Sequence, residues 1–312
     1  MFMTVRPTIS ACVAVWVTAA LGVLSACGLS ACSGGGKASA TPPVQAMEVP
    51  PPPKIALVLG GGAARGFAHI GVIKVLESHG LKPDMVVGTS AGSVAGALYA
   101  AGHSGFELQQ MAFDLDRAAV ADWSFFGKGI IRGDALRQFV NQAVANRLLE
   151  QLPMKFACIA TRLNTGEAIM FERGETGLAV QASSAVPGVF APAVINGEEY
   201  VDGGLVSVVP IKYAKKLGAD FIIAVDVAAP PDQREAQGRL DVVMKTFGIM
   251  GKTIREAEYP LADVLMIPDM DNVTSADFEG KHRAILAGEK AAQAALPQLK
   301  AKLKLRGVVL DQ

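Results

Sequence analysis

Cysteine is nearly missing from this chain. Of four in 312 residues, Cys12, Cys27 and Cys32 crowd the start, and only Cys158 lies beyond them. That distribution excludes a disulfide framework or a cysteine-built zinc site in the body of the protein. Cys158, inside the apolar stretch FACIAT, reads as a small buried side chain. Histidine is as sparse. His69 sits in FAHIGV on an otherwise apolar helix and reads as a hydrogen-bonded structural residue. His79 and His103 flank glycines at helix ends, and His282 lies in a charged helix; none has the setting of a catalytic base. An excess of either charge is also absent. Lys plus Arg and Asp plus Glu number 29 each, and the basic residues are scattered, which removes the electrostatic case for binding nucleic acid.

What is present begins with a leader. Arg6 precedes the apolar run ISACVAVWVTAALGVL, and LSAC follows, Leu24 to Cys27. A basic start, an apolar middle and small residues before a cut site describe an export signal over residues 1–26. The terminal Cys27 resembles the lipobox cysteine of bacterial lipoproteins, which is acylated. LSAC recurs at Leu29 to Cys32, but Cys27 ends the apolar run directly and is preferred. The alternative, an uncleaved membrane anchor, requires a span of about 20 apolar residues, longer than this run. Either way the rest of the chain is expected outside the cytoplasm. Gly28 after Cys27 resembles outer-membrane sorting, so the expected location is a bacterial cell envelope, lipid-anchored on the periplasmic face of the outer membrane. Residues 27–53, rich in Gly, Ser, Ala and Pro, bury too little to order themselves and read as a tether.

From Lys54 onward, strand and helix patterns alternate. KIALVLG, DMVVGTS, KFACIATRL, EAIMF, FIIAVDVA and ADVLMIP read as strands. GVIKVLESHG, AGSVAGALYAAG and ALRQFVNQAVANRLL read as helices, and GKHRAILAGEKAAQAAL as a terminal helix interrupted at Pro297. This alternation predicts an α/β domain over residues 54–312, with a mainly parallel sheet covered on both faces. Its core spans 54–229 and a helical and strand extension spans 230–312.

Three glycine-rich sites follow strands. GGGAARG, Gly60 to Gly66, fits no nucleotide fingerprint. Counted from Gly60, the sixth residue is Arg65, and Phe67 and Ala68 stand where a P-loop has Lys and Ser or Thr. Its small residues suit an oxyanion hole, with the N–H groups of Gly61, Gly62 and Ala63 aimed at a cavity. GTSAG, Gly88 to Gly92, matches the G-x-S-x-G nucleophile elbow, in which a strand enters and a helix leaves. The third site, EEYVDGG, ends a strand in Asp202, a carboxylate able to accept a serine proton where geometry allows. Taken singly, each also fits a tight turn.

Together and in this order, these features resemble the patatin-like phospholipases. LVLGGGAARGFAHIGVIKVLE, GTSAGSVAGALYAAG, GIIRGDAL, ASSAVPGVFAPAVINGEEYVDGGLVSVVP and FIIAVDV all look like bacterial members, and the resemblance is firm from Lys54 to Ala229. It implies a three-layer α/β/α patatin-like fold and a Ser–Asp dyad without histidine. Ser90 would be the nucleophile and Asp202 the base, with Gly61, Gly62 and Ala63 as the oxyanion hole. Arg65 matches the basic residue after the loop, as a substrate contact or a structural ion pair. Ala63 replaces a glycine common in the family, and Ser207 stands where members often have Asn.

The implied reaction is hydrolysis of lipid carboxylic esters, of phospholipase A or lysophospholipase type, with no metal or organic cofactor. The implied partners are a lipid substrate and a membrane surface reached through the lipidated N-terminus. The alternatives are a thioesterase or small-ester esterase on the same dyad, a non-catalytic lipid-binding lipoprotein, or a transmembrane regulator. Trp123, Phe125 and Phe126, between two helices, suit either an interfacial lid or core packing. The sequence leaves oligomeric state open.

Overall fold

The computed structural model describes residues 51–115, 133–230, 235, 238–270 and 273–310. The expected signal with Cys27 and Cys32, most of the tether, and Trp123 to Phe126 lie outside the described residues.

Among the described residues, eight strands form one sheet. They are β1 (Ile55–Leu59), β2 (Met85–Thr89), β3 (Lys155–Arg162), β4 (Ala168–Phe171), β5 (Ala193–Ile195), β6 (Glu198–Asp202), β7 (Phe221–Val225) and β8 (Val264–Met266). The order is β5-β6-β3-β2-β1-β7-β8, with β4 also paired to β3. The central strands β3, β2, β1, β7 and β8 run parallel, while β4 and β6 pair antiparallel with β3 and β5 pairs antiparallel with β6.

The apolar runs are buried on both faces, as the middle of a parallel sheet requires. Alternate side chains along each strand enter different cores. Leu57, Leu59, Val86, Phe156, Cys158, Ile223 and Val225 share one core with α1 (Ala68–Ser78), α2 (Ala91–Ala100), α3 (Gly105–Asp114) and α4 (Asp134–Ala143). Ala56, Val58, Val87, Ala157, Ile159, Ile222 and Ala224 share the other with α6 (Ile211–Lys216). This two-sided period of two produces the expected three layers. The remaining helices among the described residues are α5 (Thr176–Ser183), α7 (Arg239–Glu258) and α8 (Lys281–Lys304). No described helix is long and apolar enough to cross a membrane.

Two elements differ from the sequence reading. The terminal helix does not stop at Pro297; α8 carries that proline inside it and continues to Lys304. Proline forfeits one helical hydrogen bond, and fully buried Leu299 and Leu303 beyond it supply the apolar burial that keeps the last turns in place. The helix expected over residues 135–149 ends at Ala143 instead, because Ala145 and Asn146 both take φ of 55°. Close packing of α8 on α1 depends on missing side chains, since a Cβ on Gly288 would lie 1.9 Å from the Ala68 carbonyl oxygen.

Candidate active site

Strand β2 ends at Thr89, and Ser90 follows at φ 54°, ψ −125° before α2 begins. A serine rarely adopts positive φ, and such strain persists only where its surroundings enforce it. The flanking glycines show what enforces it. A Cβ on Gly92 would stand 2.1 Å from the Leu59 carbonyl oxygen, and one on Gly88 would stand 2.4 Å from that of Gly92. Strand and helix backbones are thus in contact at the turn, and Ser90 takes the conformation left to it. Its N–H donates to Ser183 Oγ at 3.0 Å, and Ser183 in turn donates to the Ile159 carbonyl at 2.6 Å. The Ser93 hydroxyl and N–H close on the Ser90 carbonyl at 2.6 and 2.7 Å.

Strand register brings Asp202 to the same place. Thr89 pairs with Ile159 on one side of β3, and Asp202 pairs with Ala160 on the other. Asp202 is buried; its Oδ1 accepts the Gly204 N–H at 2.6 Å, and its backbone N–H donates to Ala185. Burial pushes the carboxyl up from 3.8 to about 6, while the nearby Ser90 hydroxyl and the Gly204 N–H pull it back toward the charged form. Oδ2 is buried and accepts no aligned hydrogen bond, while the influence of the Ser90 hydroxyl on the carboxyl marks the two side chains as neighbours.

The loop after β1 lies against the nucleophile. A Cβ on Gly61 would sit 3.2 Å from Ser90 Cβ. Of the three donors expected there, Gly61 is a correction, because its N–H donates to the Val208 carbonyl at 2.9 Å. The N–H groups of Gly62 and Ala63 have no such bond among the described residues. The first residue of α2, Ala91, adds a helix N-terminal N–H that has no intrahelical acceptor. Ala63 takes φ 50°, which explains why glycine suits this position better. His69 braces the loop from below. It is fully buried and its Nε2 bonds the Gly60 carbonyl at 2.8 Å. Burial lowers its pKa to about 4, so it stays neutral at ordinary pH and donates from Nε2.

Arg65, expected as a substrate contact or a structural ion pair, is held by three backbone carbonyls. Its Nε donates to the Val227 carbonyl at 2.9 Å, and Nη1 donates to those of Met270 and Val273 at 3.1 and 2.8 Å. These bonds tie the glycine-rich loop to the extension after β7. Ser207 is a second tie. Its carbonyl accepts the Thr89 hydroxyl, its N–H donates to Gly203, and its Oγ donates to Glu258 at the end of α7 at 2.8 Å. The sequence offered only the oddity of a serine there; its partner lies 51 residues away. Cys158 is buried as read, and burial raises its thiol pKa. Among the described residues, no three His, Cys, Asp or Glu side chains converge on a metal position.

Ser90 lines an apolar cavity that is open to solvent. Its lining includes Val94 and Leu98 of α2, Leu108 and Met111 of α3, and Leu136 and Phe139 of α4. Residues 57–215 match the family profile of the Patatin-like phospholipases. The chain belongs to the patatin-like phospholipase family. It is 36% identical over 178 residues to an uncharacterized NTE family protein of Mycobacterium tuberculosis, covering 56% of this chain and 49% of that protein. A second uncharacterized NTE family protein of M. tuberculosis is 30% identical over 273 residues, covering 78% of this chain and 46% of the relative. Patatin-like phospholipase domain-containing protein 6 of Mus musculus is 30% identical over 229 residues, or 71% of this chain and 16% of the mouse protein. The patatin-like chain thus spans about half the length of the bacterial relatives it matches. Among solved structures, VipD from Legionella pneumophila has a TM-score of 0.55 at 16% identity, covering 79% of this chain and 67% of VipD, which is a likeness of fold.

Proposed function

We propose that this patatin-like protein is a serine acyl hydrolase that cleaves carboxylic esters of lipids, of phospholipase A or lysophospholipase type. The observation that carries the reading is the strained Ser90, which lines an apolar cavity and lies beside the buried carboxylate of Asp202. Ser90 Oγ adds to the ester carbonyl carbon as its proton passes to Asp202. The resulting oxyanion is met by the N–H groups of Gly62 and Ala63, with Ala91 at the positive end of α2. As the carbon–alkoxy bond breaks, Asp202 returns the proton to the departing alcohol. Water then attacks the acyl-serine with Asp202 as base, and the freed acid leaves Ser90 as it was. The cavity walls accept an acyl chain through apolar contact alone, which favours a lipid over a small polar ester. The lipobox-like Cys27 supports a site of action at an envelope membrane.

Fluorophosphonate labelling tests the nucleophile. The parent chain is expected to label, and Ser90→Ala to lose all label while keeping its fold. Hydrolysis of mixed-micelle phospholipid, lysophospholipid and acyl thioester should then follow the same dependence on Ser90 and Asp202. Labelling that survives in Ser90→Ala places the nucleophile elsewhere.

A further inference from the structure

The ASSAVPG stretch carries no role in the chemistry described so far, yet it touches both members of the dyad. Ser183 Oγ holds the Ser90 N–H at 3.0 Å, and the Ala185 carbonyl holds the Asp202 N–H at 2.9 Å. Ser184 stands between these two anchors. It is 9% exposed, it lines the same cavity as Ser90, and its hydroxyl is buried without any hydrogen-bond partner. Buried hydroxyls are nearly always paired, and an orphan in a native structure calls for an explanation. The flanking serine shows how readily this chain satisfies one, since Ser183 both accepts and donates. The cavity walls are otherwise almost wholly apolar, so a fatty acyl chain brings no polar atom to Ser184 except at the ester itself.

We propose that Ser184 is a further catalytic residue, whose hydroxyl hydrogen-bonds the alkoxy oxygen that leaves the substrate ester and then the water oxygen that replaces it. The proposal rests on the acyl-hydrolase reading above. A single site serves both oxygens, because hydrolysis of the acyl-serine is acylation run backwards with water in the alcohol's place. In acylation the Ser90 Oγ–carbon bond forms and the carbon–alkoxy bond breaks. The proton taken from Ser90 by Asp202 goes to the alkoxy oxygen, so the alcohol departs neutral. In deacylation water gives one proton to Asp202, its oxygen bonds the acyl carbon, and Ser90 leaves with that proton. Ser184 gains and loses no proton across the cycle; it orients the oxygen on the line between carbonyl carbon and Asp202. The hydroxyl turns about one side-chain bond and can either donate or accept, which suits an ether-like oxygen in one half-reaction and water in the other. The oxyanion already has its backbone donors in Gly62, Ala63 and Ala91, leaving the departing oxygen as the reacting atom without one.

The test uses the full chain in detergent micelles, with an alkyl oxygen ester and a thioester of the same long acyl group. Sulfur accepts hydrogen bonds weakly. Ser184→Ala is expected to lower kcat/KM by about tenfold on the oxygen ester and by much less on the thioester. It should slow deacylation equally for both, keep fluorophosphonate labelling at the parent rate, and unfold no more easily than the parent. Ser184→Thr, which keeps the hydroxyl, should recover most of the oxygen-ester rate. Equal losses on the two substrates, no loss on either, or a lowered unfolding temperature in Ser184→Ala overturns the proposal and leaves the dyad untouched. A parent chain that hydrolyses neither substrate and takes no label defeats the acyl-hydrolase reading itself.

Discussion

Ser90 and Asp202 reach toward each other over one small residue of β3. Thr89 is level with Ile159 and Asp202 with Ala160 on the other side of β3, and Ser90 follows Thr89 directly. Two strand spacings separate the backbones of β2 and β6, roughly 10 Å, and the fully buried Ala160 shares its face with Asp202. Ala160→Leu is therefore expected to wedge the dyad apart. Ester hydrolysis should fall by well over tenfold, with a stability loss of about 1–3 kcal/mol from overpacking. Ala160→Gly should keep most of the activity. Paired measurements of turnover and urea denaturation check both variants.

The raised pKa of Asp202 fixes the pH dependence of activity. If Asp202 is the base, as proposed, it works only when ionised, so kcat/KM should rise with pH through about 6 and level off above it. The same shift sets a stability signature. The folded carboxyl holds its proton up to about 6, whereas the unfolded one loses it near 3.8. The contribution of this group to folding is thus most favourable at low pH, and the cost of ionising it accumulates between those two values. Asp202→Asn should match the parent in stability near pH 3.5 and exceed it by about 3 kcal/mol above pH 7. Denaturation of the two proteins at both pH values gives the comparison directly.

Ala63 carries a backbone cost that its neighbours do not require of it. At φ 50° the alanine Cβ is crowded in a way glycine avoids. Ala63→Gly is expected to change stability little or raise it by about 1 kcal/mol, strain relief competing with unfolded-state entropy. The N–H is retained, so activity should stay within a few-fold of the parent. A loss of a hundredfold would mean that the alanine methyl shapes the oxyanion site.

Arg65 should behave as a brace. Removing its guanidinium leaves the buried carbonyls of Val227, Met270 and Val273 without these donors. Arg65→Met is expected to cost about 3 kcal/mol of stability, with Arg65→Lys intermediate. If Arg65 were instead a substrate contact, the Lys variant would raise KM at unchanged unfolding temperature.

The α/β class was legible in the sequence, and Ser90 and Asp202 stood out there as candidates, because each reading rests on local chemistry. Short apolar runs bounded by glycines and rich in β-branched residues suit buried strands, a serine between glycines after a strand fits one kind of turn, and an aspartate before two glycines marks a close approach of backbone. Cys158 and His69 were read correctly for the same reason, since their immediate neighbours are apolar. What tertiary structure decided were the matters of partnership between distant segments. Only the fold shows that the Gly61 N–H is already taken by Val208, that Arg65 serves backbone carbonyls of the extension, and that Ser207 is tied to Glu258. The course of α8 through Pro297 was likewise set by what Leu299 and Leu303 bury. A hydrogen bond or a buried contact is made by whatever the chain brings alongside, and strand order and register determine that, not the spacing of residues along the chain.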